Sequence, residues 1–189
     1  MKKSLITIAA MTTLLVQFPA YAGVICSNEN SAVQASTPTS QFVLRADGTA
    51  KDTATNLIWM RCSLGQTWSG STCTGTRTFY TWQAALQVTQ DINSGVSNAD
   101  NDSAAGFAGH TDWRLPNKNE LESIVEQRCS APSINAAIFP STPSIYFWSS
   151  SPYIGTTYQA WYVRFDSGLV NGIDKSYSNF GVRLVRAGQ

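Results

Sequence analysis

Gly109-His110-Thr111-Asp112-Trp113-Arg114-Leu115-Pro116-Asn117, followed by Glu120-Leu121, is the stretch that decides how this 189-residue chain is read. Trp113 and Leu115 alternate with polar neighbours, as in an extended segment with one apolar face. Pro116 ends that segment. Asn117 is placed to accept from the first-turn amides of a helix, and Glu120, three residues on, completes a reciprocal capping box. Leu121, Ile124 and Val125 then form one apolar stripe directed at a core. Asp112 and Arg114 flank Trp113 and are expected to pair with each other where the chain turns into this helix.

Working outward, Thr81 caps an upstream helix whose apolar residues Trp82, Ala85, Leu86 and Ile92 keep helical spacing, with Gly95 to end it. Further upstream, Phe42 to Leu44, Lys51-Asp52 and Leu57 to Met60 read as short strands, with Asp47-Gly48 as a hairpin turn. Downstream of Pro143, strands are expected over Tyr146 to Ser149, Tyr158 to Asp166, Leu169 to Ile173 and Phe180 to Val185, forming an antiparallel meander. In the second of these, Trp161, Val163 and Phe165 make the apolar face, and Tyr162 and Arg164 point the other way. The pattern predicts an α+β domain over 42–189, two helices flanking small antiparallel sheets.

Residues 1–22 read as a cleavable signal peptide. Lys2 and Lys3 precede an apolar run from Leu5 to Val16, which ends at Ala20-Tyr21-Ala22. The run is shorter than the roughly 20 residues a membrane span needs. The remainder carries 11 basic and 12 acidic residues, without the clustered basic stripe that binds nucleic acid, and no later segment spans a membrane. The expected location is outside the cytoplasm: periplasm, cell surface or secreted. Residues 23–41, rich in Ser, Asn, Thr and Gln, read as an extended N-terminal tether. All four cysteines follow the signal, which favours disulfides. The short Gly/Ser/Thr-rich interval pairs Cys62 with Cys73, leaving Cys26 with Cys129. A four-thiolate zinc site is disfavoured because no Cys-x-x-Cys pair is present.

No catalytic centre is legible. His110 is the sole histidine, and no nucleophile elbow surrounds Ser149, Ser150 or Ser151. Asp100-Asn101-Asp102 lacks the ligand spacing of an EF-hand, so neither metal nor cofactor is expected. What remains is a polar-aromatic surface in the C-terminal third: Tyr153, Tyr158, Tyr162, Arg164, Asp166, Asn171, Asp174, Lys175, Tyr177 and Asn179. Such residue types suit adaptable recognition, so the expected partner is a glycan or protein ligand at the cell envelope. A structural or assembly subunit of a pilus or envelope complex is the alternative. Oligomeric state is not legible.

Several segments together resemble the Lcl C-terminal domain family: Leu57 to Cys62, Trp82 to Ala85, Gly109 to Pro116 with Glu120-Leu121, Trp148 to Ser151, Ala160 to Val163, and Val182 to Arg186. The resemblance implies a C-type-lectin-like fold, related in architecture to formylglycine-generating enzymes, in which a C-terminal sheet presents a ligand face. The reactive cysteine pair of those enzymes has no counterpart after Cys129, and the collagen-like repeats of the family's best-known member are absent.

Overall fold

The computed structural model describes residues 25–96 and 105–188. Residues 1–22, read above as a signal peptide, and Asp100-Asn101-Asp102 lie outside them. The strands are β1 (Phe42–Leu44), β2 (Thr49–Asp52), β3 (Leu57–Met60), β4 (Thr67–Trp68) and β5 (Cys73–Thr74). Helices α1 (Trp82–Ser94) and α2 (Lys118–Glu122) follow, then β6 (Tyr146–Pro152), β7 (Gln159–Arg164), β8 (Val170–Asp174) and β9 (Val185–Ala187). They form an antiparallel sheet ordered β1-β2-β3-β9, a β4-β5 hairpin, and the meander β6-β7-β8.

Local signals explain most of these elements. Asp47 accepts from the Thr49 amide and hydroxyl, and Gly48 supplies the positive φ of the β1–β2 turn. Thr81 Oγ1 accepts from Ala84 N, and α1 ends at left-handed Gly95. Asn117 and Glu120 form the complete capping box at α2.

Four expectations need correction. First, α2 ends at Glu122 with Ser123 as its C-cap, so Ile124 and Val125 follow the helix instead of extending it; both are buried, and Val125 forms a bridge with Ile134. Second, Phe180 to Val185 is not a fourth meander strand. Phe180 and Gly181 run beside β6, where Trp148 N donates to Gly181 O and Gly181 N to Tyr146 O. The chain then crosses to the other sheet, where β9 pairs with β3. Third, Asp112 and Arg114 do not pair with each other. Neighbours two apart along an extended segment reach for different elements: Arg186 Nε donates to Asp112, and Arg114 clamps Glu120 with two bonds.

Fourth, β7 is not apolar on one face only. Ala160 and Tyr162 enter a cluster with Met60, Trp113, Leu115, Trp148 and Phe180. Val163 and Phe165 enter a second one with Trp59, Leu121, Phe139 and Phe147. The meander thus lies between two cores, and alternate residues of one strand feed each. Trp161, expected inside, is only half-buried beside Tyr153, with ring centroids 4.7 Å apart.

Both expected disulfides are formed, Cys26–Cys129 and Cys62–Cys73. The tether is stitched down: Glu29 forms a bridge with Cys129 and an ion pair with Arg128, and Ser36 and Thr37 bind Glu126. Among the described residues no helix is long and apolar enough to cross a membrane.

Candidate functional site

At the C-terminal end of β7, Arg164 stands opposite Tyr146 of β6. The turn that follows swings Asp166 back onto it. Arg164 Nε donates to Asp166 Oδ1 at 3.0 Å and Nη2 donates to Oδ2 at 2.8 Å, while the guanidinium lies 4.9 Å from the Tyr146 ring centroid. Ser167 Oγ adds a bond to Asp166 Oδ1 at 2.8 Å. The Arg164 hydrogen bonds hold the Asp166 carboxyl below its ordinary range. Arg164 is raised in turn by the same bonds.

Beneath the pair lies an aromatic floor. Tyr146 and Tyr162 have ring centroids 5.4 Å apart, and Phe180 is 5.4 Å from Tyr146 and 5.3 Å from Tyr162. Burial pushes the Tyr162 phenol pKa up. Asn179 reaches the same place because the chain beside β6 begins at Phe180. Ser144, Ile145, Tyr146, Asp166 and Asn179 line an open recess of about 240 Å³. Neither the Ser144 hydroxyl nor the Asn179 side-chain amide is engaged by another described residue.

The ten surface residues expected from sequence do not form one site. Arg164, Asp166 and Asn179 gather at the recess. Tyr162 is a correction: it is buried in the floor, because the core under that face extends to Phe180. Asn171 pairs with Tyr162 across the sheet, but its Oδ1 accepts from the amide of Gly172. Tyr153, Tyr158, Asp174, Lys175 and Tyr177 lie at the opposite end of the meander. There Lys175 Nζ donates to Thr157 O at 2.7 Å and covers the Trp82 ring, and Asp174 accepts from Ser176 N at 2.9 Å. The Tyr153 ring lies so close over Gly172 that an added methyl there would come within 2.3 Å of it.

Sequence reading missed Ser144, Ile145 and Tyr146. Their only signal was position, immediately before and at the start of a strand after Pro143. A larger groove of about 370 Å³ runs between α1 and Trp113–Leu115. Its strongest polar groups are spent internally, Asn93 on the Trp113 backbone and Arg114 on Glu120. Ser149 is buried and donates its hydroxyl to Trp161 O at 2.8 Å.

The model of one protein family, the Lcl C-terminal domain, matches residues 48–186. The chain belongs to this family. No curated protein matches it significantly. The part that matches the Lcl C-terminal domain takes in both helices, the meander and the whole recess, and leaves the tether and β1 outside.

Proposed function

We propose that this Lcl C-terminal domain is a non-enzymatic recognition module of the cell envelope, exported and C-type-lectin-like in architecture, binding glycan or protein through the face around the Tyr146 recess. The observation that carries this reading is the convergence of Ser144, Asp166 and Asn179 around Ile145 and Tyr146, with two of the three polar groups unspent. Concave sites with a few convergent polar groups on an aromatic base are the usual form of a ligand site. The signal-like leader and two disulfides support export.

The test uses Ser144→Ala/Asn179→Ala, which removes exposed groups that hold nothing in the fold. Binding to immobilised glycans and to envelope fractions is expected to weaken at least tenfold with an unchanged melting temperature. Equal binding by variant and parent rules the recess out.

A second reading, an assembly subunit of a pilus or envelope complex, is favoured by the opposite end of the meander. Ile154 is 97% exposed, with Tyr158 at 58% and Tyr177 at 52%. Stoichiometric cross-linking of one envelope protein through Ile154 and Tyr158, with no effect of Ser144→Ala/Asn179→Ala, supports assembly instead.

A further inference from the structure

We propose that the Tyr146 recess takes one electrically neutral, hydroxyl-bearing ring, a hexose-type saccharide unit, and turns acidic sugars away; this deepens the recognition reading above and rests on it. The first reason is size. About 240 Å³ falls below the roughly 300–1,000 Å³ of drug-sized clefts, a volume that suits one ring seated in the recess.

The second reason is charge. Arg164 is the cation beside the recess, and its fork is already matched by a carboxylate of this chain, with Nε and Nη2 on the two oxygens of Asp166. That is the bidentate arrangement by which arginine recognises a ligand carboxylate. An incoming uronate or sulfate would compete with Asp166 for that fork, and would meet a like charge at short range. Asp166 lines the recess and offers lone pairs to hydrogen donors.

The third reason is the mixture of unspent groups. The Ser144 hydroxyl and the Asn179 amide each donate and accept, and neither is engaged by another described residue. Sugar hydroxyls also donate and accept, so adjacent hydroxyls on one ring can satisfy Ser144, Asp166 and Asn179 together. Ile145 and the Tyr146 ring supply apolar wall for the ring's C–H groups.

The experiment is saturation-transfer NMR and calorimetry on the full chain, using oligosaccharides of glucose, galactose or mannose beside their uronic and sulfated counterparts. Neutral sugars are expected to bind, and Ser144→Ala/Asn179→Ala to weaken that binding at least tenfold. Asp166→Asn frees Arg164 and is expected to reverse the preference: neutral binding falls at least tenfold, and salt-sensitive uronate binding appears. Melting curves check that each variant is folded; if Asp166→Asn is not, the double variant, which touches only exposed groups, decides. Acidic sugars that bind the parent chain and are lost in the double variant overturn the charge assignment while leaving the recognition reading intact. A protein ligand lost in that variant, with no sugar bound, overturns the saccharide assignment alone. No ligand of any kind sensitive to the double variant removes both.

Discussion

Glu126 is fully buried, and among the described residues it has no cationic partner. Burial by itself pushes its carboxyl pKa up. The amides of Arg128, Ser36 and Thr37 and the Thr37 hydroxyl more than offset this and hold it below the ordinary range. A carboxylate that accepts several hydrogen bonds favours its charged form. Its stabilisation is therefore fully present above the unfolded value of about 4.3 and is lost as pH falls through the lower folded value. Glu126→Gln turns an amide N–H₂ towards donors, leaving at least one of them unsatisfied, at a cost of about 1–3 kcal/mol. Denaturant titrations between pH 3 and 7 are expected to show that loss at neutral pH and a flatter acid limb; an unchanged acid limb contradicts the assignment. Arg183 is the opposite case. Fully buried, it donates to Met60 O, Arg61 O and Thr142 Oγ1 and lies 4.8 Å from the Phe139 ring centroid, and burial lowers its pKa to about 9. It joins the end of β3 to the segment that feeds β9.

At the scale of elements, α2 shows what a capping signal can and cannot specify. Five residues are too few to be stable as an isolated helix, so α2 depends on its caps and on Leu121, which is fully buried. Glu120 serves twice: Oε2 accepts from Asn117 N at 2.8 Å and from Arg114 at 2.6 Å. Asn117→Ala is expected to cost about 1 kcal/mol, read as a lower denaturation midpoint with an unchanged m-value. A cost below a few tenths would mean that packing alone holds the turn. The caps of both helices were legible because they lie within four residues of one another. The ends of elements set by distant partners were not. Ser123 Oγ closes the last turn onto Glu120 O, but the course of the chain beyond it is set at a distance, by Ser36 and Thr37, some 90 positions upstream, which bind Glu126. The recess failed for the same reason. Ser144 and Asn179 are 35 positions apart and meet only because Phe180 and Gly181 run beside β6. The two-sided burial of the meander was likewise hidden, since Tyr162 looks polar in a strand whose other residues already satisfied one core.

Across the whole molecule, the two disulfides do different work, and the difference is measurable. Cys26–Cys129 spans 103 positions and ties the tether to the segment after α2, whereas Cys62–Cys73 spans 11 and ties β5 to the segment just after β3. In the chain-entropy account the long bridge contributes roughly 4–5 kcal/mol and the short one about 3. Folded-state consequences run differently. Ile25, Cys26 and Cys129 form a small cluster of their own, outside the two main cores. Without its bridge the tether is still held by Glu126 and by the Glu29–Arg128 pair, so its opening leaves both cores closed. Cys26→Ser/Cys129→Ser is therefore expected to show the larger drop in unfolding free energy, together with hydrogen-exchange protection lost first over 25–41 and retained in β6 and β7. Cys62→Ser/Cys73→Ser is expected to show the smaller drop, with protection lost around Trp68, whose indole donates to Ala46 O and whose ring stacks under Arg61. If the short bridge proves the more stabilising of the two, chain entropy is not the leading effect, and the Arg61–Trp68 contact that it secures carries the stability instead.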